Sequence, residues 1–214
     1  MSLRIENLNR IKDKVDIKPE SDKFYDEIYS DLDLILFELH STIEHVRISS
    51  MITNIHQDEN TNEKVSKVEN YENFDNTQQS QIFSISNIDE KITEVAIICR
   101  EFVTSSKSMI SSALVDEISL KPHIRAAMNA LGTLVAQCFE TCFSYLYRNQ
   151  KLDETRQLLI QILNLLNTFR TTLNITYLAA SKKLNETNID LLMKQAASLA
   201  NEISLLIKHF KLIF

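Results

Sequence analysis

Residues 153–184 read DETRQLLIQILNLLNTFRTTLNITYLAASKKL and carry the clearest helical pattern of the chain. The positions that repeat every three or four residues are Leu158, Ile162, Leu165, Phe169, Leu173, Thr176 and Ala180. This spacing matches the 3.6-residue turn of an α-helix and places the side chains on one face. The stretch therefore predicts a long helix with one buried side.

The same spacing predicts helices over residues 87–118, 122–149 and 188–214. Pro122 is expected to open the second of these, because proline is tolerated at the first position of a helix. A further long helix is predicted over residues 21–55. Its apolar positions are Phe24, Ile28, Leu32, Ile35, Leu39, Ile43 and Val46. One glycine and two prolines in 214 residues also argue against a sheet, which needs turns.

Short connections between the last four predicted helices require antiparallel neighbours. The expected fold class is all-α, an up-down antiparallel four-helix bundle with an additional long N-terminal helix. It becomes a five-helix bundle if that helix joins the others. The predicted organisation has three parts: residues 1–56 form a tether and the long amphipathic helix, residues 57–86 form an acidic, Asn/Gln-rich, disordered linker, and residues 87–214 form the bundle.

The charge of the chain is unevenly distributed. Residues 1–85 hold nine basic and 17 acidic side chains, whereas residues 86–214 hold 14 and 12. This argues against nucleic-acid binding, which needs a concentrated basic face. No apolar run approaches the roughly 18 residues of a membrane span, which predicts no membrane insertion. Three cysteines lie at apolar helical positions, as reduced thiols do, so we expect a cytoplasmic location.

The chain lacks the motifs of common catalytic sites. Its single glycine rules out a phosphate-binding glycine loop, and no two Cys/His pairs supply the four ligands of a zinc site. Cys99 follows Ala96-Ile97-Ile98, an apolar setting that keeps a thiol protonated. We therefore expect no enzyme activity, no catalytic residue, no metal and no cofactor.

Three segments of the predicted bundle resemble those of a known family. They are IDEKITEVAIICREFVTSSKSM at 88–109, KPHIRAAMNALGTLV at 121–135 and IDLLMKQAASLANEISLLIKHF at 189–210. Their apolar register and small-residue placement resemble the focal-adhesion-targeting type of four-helix bundle, above all the C-terminal domain of the GIT scaffold family. The acidic N-terminal helix and the Asn-rich insert depart from that family and suggest its fungal, polarisome-associated branch.

The resemblance implies a scaffold in cell polarity or cytoskeletal organisation, at sites of polarised growth. Its partners would be proteins with amphipathic, paxillin-like Leu-Asp helices, docked in a groove between the first and last bundle helices. The residues assigned to this groove are Lys107, Lys194, Ala197, Lys208 and Lys211. The lysines would face acidic side chains of the partner. The acidic insert, with Tyr71 and Phe74, would occupy the same groove in the free protein.

Two alternatives remain at this stage. Small residues of the second bundle helix favour close helix packing, and the alternative is that they form another shallow groove for a partner helix; they are Ala126, Ala130, Gly132 and Ala136. The alternative function is a structural rod or a homodimer, in which helix 21–55 pairs with its copy from a second chain.

Overall fold

The computed structural model describes residues 23–61, 77–181 and 186–214, and in these ranges the chain is all-α, with five helices and no strand. The helices are α1 (Lys23–Thr61), α2 (Thr77–Ser112), α3 (Glu117–Thr141), α4 (Leu152–Ser181) and α5 (Glu186–Ile213). A π-helical turn, Cys142–Tyr147, continues α3. The predicted all-α class is confirmed.

Two helix pairs make the most extensive contacts, α2 with α3 and α4 with α5. The ion pair Lys91–Glu140 and the hydrogen bond from Gln137 to Glu94 join α2 to α3, so that higher numbers on one helix face lower numbers on the other. The two pairs meet where α2 contacts α5 and α3 contacts α4. The rings of Phe102 in α2 and Phe169 in α4 pack against each other in the core, with centroids 5.6 Å apart.

The core predicted for these four helices lies where the apolar spacing placed it. Leu131, Leu165, Phe169, Leu206 and Phe102 are all fully buried. Leu114 falls within the helix predicted over residues 87–118 but is 41% exposed, because α2 ends at Ser112 and Leu114 lies in the turn that follows. The apolar periodicity therefore fixes the buried faces but not the helix ends.

The boundary between α2 and α3 differs from the prediction. The break lies at residues 113–116, and Pro122 lies inside α3 rather than at its start. Asp116 caps the helix, since its carboxylate accepts a hydrogen bond from the Ser119 backbone N–H at 2.6 Å. Proline cannot donate to the Ile118 carbonyl one turn earlier. Ile118 is 85% exposed, so water can satisfy that carbonyl.

Both ends of the range predicted as a linker, residues 57–86, are helical. Helix α1 continues to Thr61 and α2 begins at Thr77, each well inside the range assigned to the linker. Residues 62–76 lie outside the described residues, as do the aromatic residues Tyr71 and Phe74 of the expected groove occupant.

The long N-terminal helix packs on the bundle. α1 contacts α4 extensively and α3 at fewer positions. Its buried apolar side chains are Tyr25, Ile28, Leu32, Leu36, Leu39, Ile43 and Val46. Phe24 and Ile35, expected in this stripe, are only partly buried, since their neighbours Tyr25 and Leu36 take those places.

Candidate protein-docking surfaces

The four lysines of the expected groove are all exposed. None of them forms an ion pair with another described residue. Lys194 and Lys208 are 14 residues apart on α5, which corresponds to about 21 Å along the helix. Lys107 lies on α2, close to its C-terminal end. The lysines are thus distributed along the α2 and α5 surfaces rather than gathered in one cluster.

Ala197 is exposed on α5, three residues after Lys194. On α2, Val103 and Ile110 lie one turn before and after Lys107 and are partly buried against the core. On α2, two apolar side chains at the edge of the core therefore lie next to Lys107 and provide an apolar edge there. On α5, the small side chain of Ala197 lies one turn from Lys194. It lies with Lys194 and Lys208 on the side away from the buried Leu199, so it does not form a groove floor with them.

The small residues of α3 do not form one surface. Ala130 lines a shallow, open groove between α2 and α3, and Ala126 lies one turn earlier on the same side. Gly132 is two residues beyond Ala130, a rotation of about 200° around the helix, and Ala136 lies one turn beyond Gly132. A Cβ atom added at Gly132 would meet nothing within 4 Å, so this glycine is not required for close helix packing.

The groove between α2 and α3 has mixed chemistry. Its walls are Ile97, Arg100, Glu101, Thr104 and Ser105 of α2, and Asn129, Ala130 and Thr133 of α3. One cation, one carboxylate and several hydroxyls surround a small apolar area. It therefore lacks the continuous apolar floor that an amphipathic helix requires.

The surface formed by α3 and α4 already holds an amphipathic helix, which is α1. The Tyr25 ring packs edge-on against Tyr177 of α4, with centroids 4.3 Å apart. Tyr29 donates a hydrogen bond to Asn174 Oδ1, and burial raises the pKa of its phenol well above the ordinary value. Apolar packing and a partly buried hydrogen bond thus form the centre of the interface between α1 and the bundle.

Acidic side chains of α1 meet basic side chains of the bundle at the rim of the same contact. Asp33 pairs with Arg170 of α4 at 3.0 Å, and Glu27 with Arg125 of α3 at 3.7 Å. Arg125 also lies over the Phe24 ring, with its Cζ 5.3 Å from the centroid. These pairs are solvent-exposed, so each contributes at most about 1 kcal/mol, and the buried apolar stripe of α1 provides most of the affinity. Sequence reasoning gave α1 its amphipathic face but did not assign Arg125 and Arg170 to a binding surface.

The three cysteines are buried and free. Burial raises the pKa of Cys99 to about 11, and the pKa of Cys142 to about 12 despite its contact with the Thr155 carbonyl. Burial, and then the neighbouring Cys99 and Cys142, also raise the pKa of Cys138. All three are therefore protonated at neutral pH and poor nucleophiles. No group of three or more potential metal ligands converges in the described ranges.

None of the helices, as far as the chain is described, is long and apolar enough to span a bilayer. Comparisons with protein-family models and with curated proteins find no match to this chain.

Proposed function

We propose that this chain is a scaffold module that docks amphipathic helices of partner proteins in grooves between its own helices. The setting follows from the resemblance: cell polarity or cytoskeletal organisation, in the cytoplasm at sites of polarised growth. The observation that carries the proposal is the packing of α1. An amphipathic helix with acidic side chains lies on α4 and α3 and pairs with Arg170 and Arg125.

The α1 contact supplies a physical template for such docking. A helix lays its apolar stripe on the seam between two helices, and carboxylates at its edges meet guanidinium groups of the bundle. Helix-in-groove recognition works in this way, with apolar anchors for affinity and rim charges for orientation and association rate. The bundle has further seams between helices where the same principle can operate.

The seam between α2 and α5 is the best candidate for a partner. Its helices contact each other less extensively than the two main pairs do, and Lys107, Lys194, Lys208 and Lys211 are free of described ion pairs. Residues 86–214 carry two more basic than acidic side chains. An acidic amphipathic helix, of the paxillin-like Leu-Asp type, fits this combination.

The test is binding of a fluorescein-labelled Leu-Asp peptide to the full chain, measured by fluorescence anisotropy at low and moderate salt. Reversing two of the assigned charges with Lys194→Glu and Lys208→Glu should weaken binding about tenfold, since exposed pairs are worth up to about 1 kcal/mol each. The loss should be larger at low salt, where screening is weaker.

The matched control changes the same amount of charge elsewhere. Lys151→Glu with Arg156→Glu alters exposed side chains at the start of α4 and should leave the affinity unchanged. A wild-type chain that fails to bind the peptide contradicts the proposal. So does an equal loss in both double variants, which would show attraction to net charge rather than to a groove.

A further inference from the structure

Helix α1 has a second apolar face. While its buried stripe packs on the bundle, five large apolar side chains remain exposed among those described on the same helix: Leu34 at 58%, Phe37 at 73%, Ile48 at 49%, Met51 at 53% and Ile52 at 51%. A single exposed apolar residue needs no explanation, but a contiguous group on one element marks an interaction surface.

These five residues share one side of the helix. Leu34 and Ile52 are 18 residues apart, which is five turns, and Phe37 and Ile48 are 11 apart, close to three turns. At about 100° per residue, all five lie within an arc of about 100°, on the side away from the buried Leu32 and Leu39. The bundle therefore leaves this arc, here called the outer face of α1, without a covering element among the described residues.

We infer that the outer face binds the same face of a second copy of this chain, in antiparallel orientation. In a two-fold symmetric interface, each contact occurs twice: if residue i of the first copy contacts residue j of the second, then residue j of the first contacts residue i of the second. Four of the five apolar residues of the outer face pair in this way about a point between Thr42 and Ile43. Antiparallel alignment there places Leu34 against Met51 of the second copy, and Phe37 against its Ile48. The fifth, Ile52, lies opposite Asp33 at the edge of the contact.

The polar residues of this face fit the same alignment. Ser41 and Glu44 are the exposed positions between the two apolar groups, and the alignment places each opposite the other across the two-fold axis. The Ser41 hydroxyl of one copy can donate a hydrogen bond to the Glu44 carboxylate of the other, and symmetry gives the dimer two such bonds. Glu44 Oε2 already accepts from Arg47 Nε at 2.7 Å, which leaves its other oxygen for this bond.

A second copy fits better than an acidic peptide because the outer face contains a carboxylate and none of the four free lysines. The inference goes beyond the proposed function, since the surfaces are different and one can fail without the other. A contact between two helices of this length is small compared with standard interfaces. We therefore expect a dimer whose population rises with protein concentration.

The first experiment measures the mass of the full chain in solution by light scattering over a wide range of concentrations. The wild-type mass should rise toward twice that of the chain, and Phe37→Glu or Ile48→Glu should hold it at the monomer value. Both sites are exposed, so circular dichroism should show unchanged folding. The control is Ile118→Glu, which alters an apolar residue that is 85% exposed on α3, and it should dimerise like the wild type.

The second experiment tests the orientation. Phe37→Cys and Ile48→Cys chains should form a disulfide-linked dimer when mixed and oxidised, and neither should do so alone. In the antiparallel alignment the two copies of residue 37 are about 16 Å apart along the axis, too far for a disulfide. A wild-type chain that stays monomeric, a dimer insensitive to both glutamate variants, or efficient cross-linking of Phe37→Cys with itself would each overturn the inference.

Discussion

At the scale of single residues, Ser106 is a buried polar side chain whose loss of contact with water is not compensated by a hydrogen bond in the described part of the chain. It lies in α2 with 3% of its surface exposed, and its hydroxyl has no hydrogen-bond partner among the described residues. Burying an unpaired hydroxyl costs about 1–3 kcal/mol, and alanine also favours the helix slightly more than serine does. Ser106→Ala should therefore raise the free energy of unfolding by about 1 kcal/mol in urea denaturation.

Ser112 provides the matched control for this prediction. It is also a buried serine of α2, but its hydroxyl donates to the Met109 carbonyl at 2.9 Å. Ser112→Ala should lower the stability or leave it unchanged, because it removes a satisfied hydrogen bond. If Ser106→Ala destabilises the protein as much as Ser112→Ala does, the Ser106 hydroxyl has a partner in solution.

The helical period predicts which residues of α1 are buried to within one sequence position. The stripe of α1 was expected at Phe24 and Ile35, and it lies at Tyr25 and Leu36. In both places two large apolar residues are adjacent, so the helical period fits either one. The choice is made by tertiary contacts, such as that of Tyr25 with Tyr177, which periodicity does not contain.

At the scale of elements, the start of α3 is determined by an N-cap residue rather than by a proline. Pro122 suggested a helix start, but Asp116 provides the cap and Glu117 follows it in the first turn, where an acid is favoured. The signal was present in the sequence as Asp116-x-x-Ser119. A proline in the second turn removes one hydrogen bond, and where the freed carbonyl faces water the helix can continue through it.

The Asp116 cap should make a small part of the stability depend on pH. Hydrogen bonds from Ser119, first from its backbone N–H, lower the pKa of Asp116 below its ordinary value of 3.8. A lowered folded-state pKa means that the cap stabilises the fold above that ordinary value and is lost as the pH falls through the folded pKa. Asp116→Ala should therefore lower the melting temperature at neutral pH, with the difference from wild type vanishing in strong acid.

Asp116→Asn is the control for Asp116→Ala. Asparagine caps helices nearly as well as aspartate but does not titrate, so the variant should stay close to wild type at neutral pH. Thermal unfolding followed by circular dichroism at several pH values measures both. A deficit of Asp116→Ala that persists unchanged in acid would show that the carboxylate is not the stabilising group.

The candidate docking residues were harder to predict than the elements, for geometric reasons. Four small residues lie close together in the linear sequence, yet about 200° of helix rotation separates Ala130 from Gly132. The four are Ala126, Ala130, Gly132 and Ala136. Helical phase alone would have revealed this separation. The roles of Arg125 and Arg170 could not be foreseen, because they depend on which seam α1 covers.

At the scale of the whole molecule, the position of α1 decides between the two organisations that the sequence allows. The sequence left open whether the N-terminal helix joins the bundle, and in the structure its buried stripe packs against α4 and α3. An element that buries a stripe of this length contributes to the same core as the other four helices. We therefore expect α1 and the rest of the described chain to unfold together rather than as two units.

Leu32→Ala tests this coupling. Leu32 of α1 is fully buried, and truncating such a leucine typically costs about 2–5 kcal/mol. In urea denaturation of the full chain followed by circular dichroism, the variant should show one transition at a lower midpoint. Leu212→Ala, at a leucine of α5 that is 73% exposed, should leave the midpoint nearly unchanged. If Leu32→Ala instead produces a separate early transition and leaves the main one in place, α1 is a docked appendage, and the seam between α3 and α4 is then a site that a partner helix can occupy by displacing it.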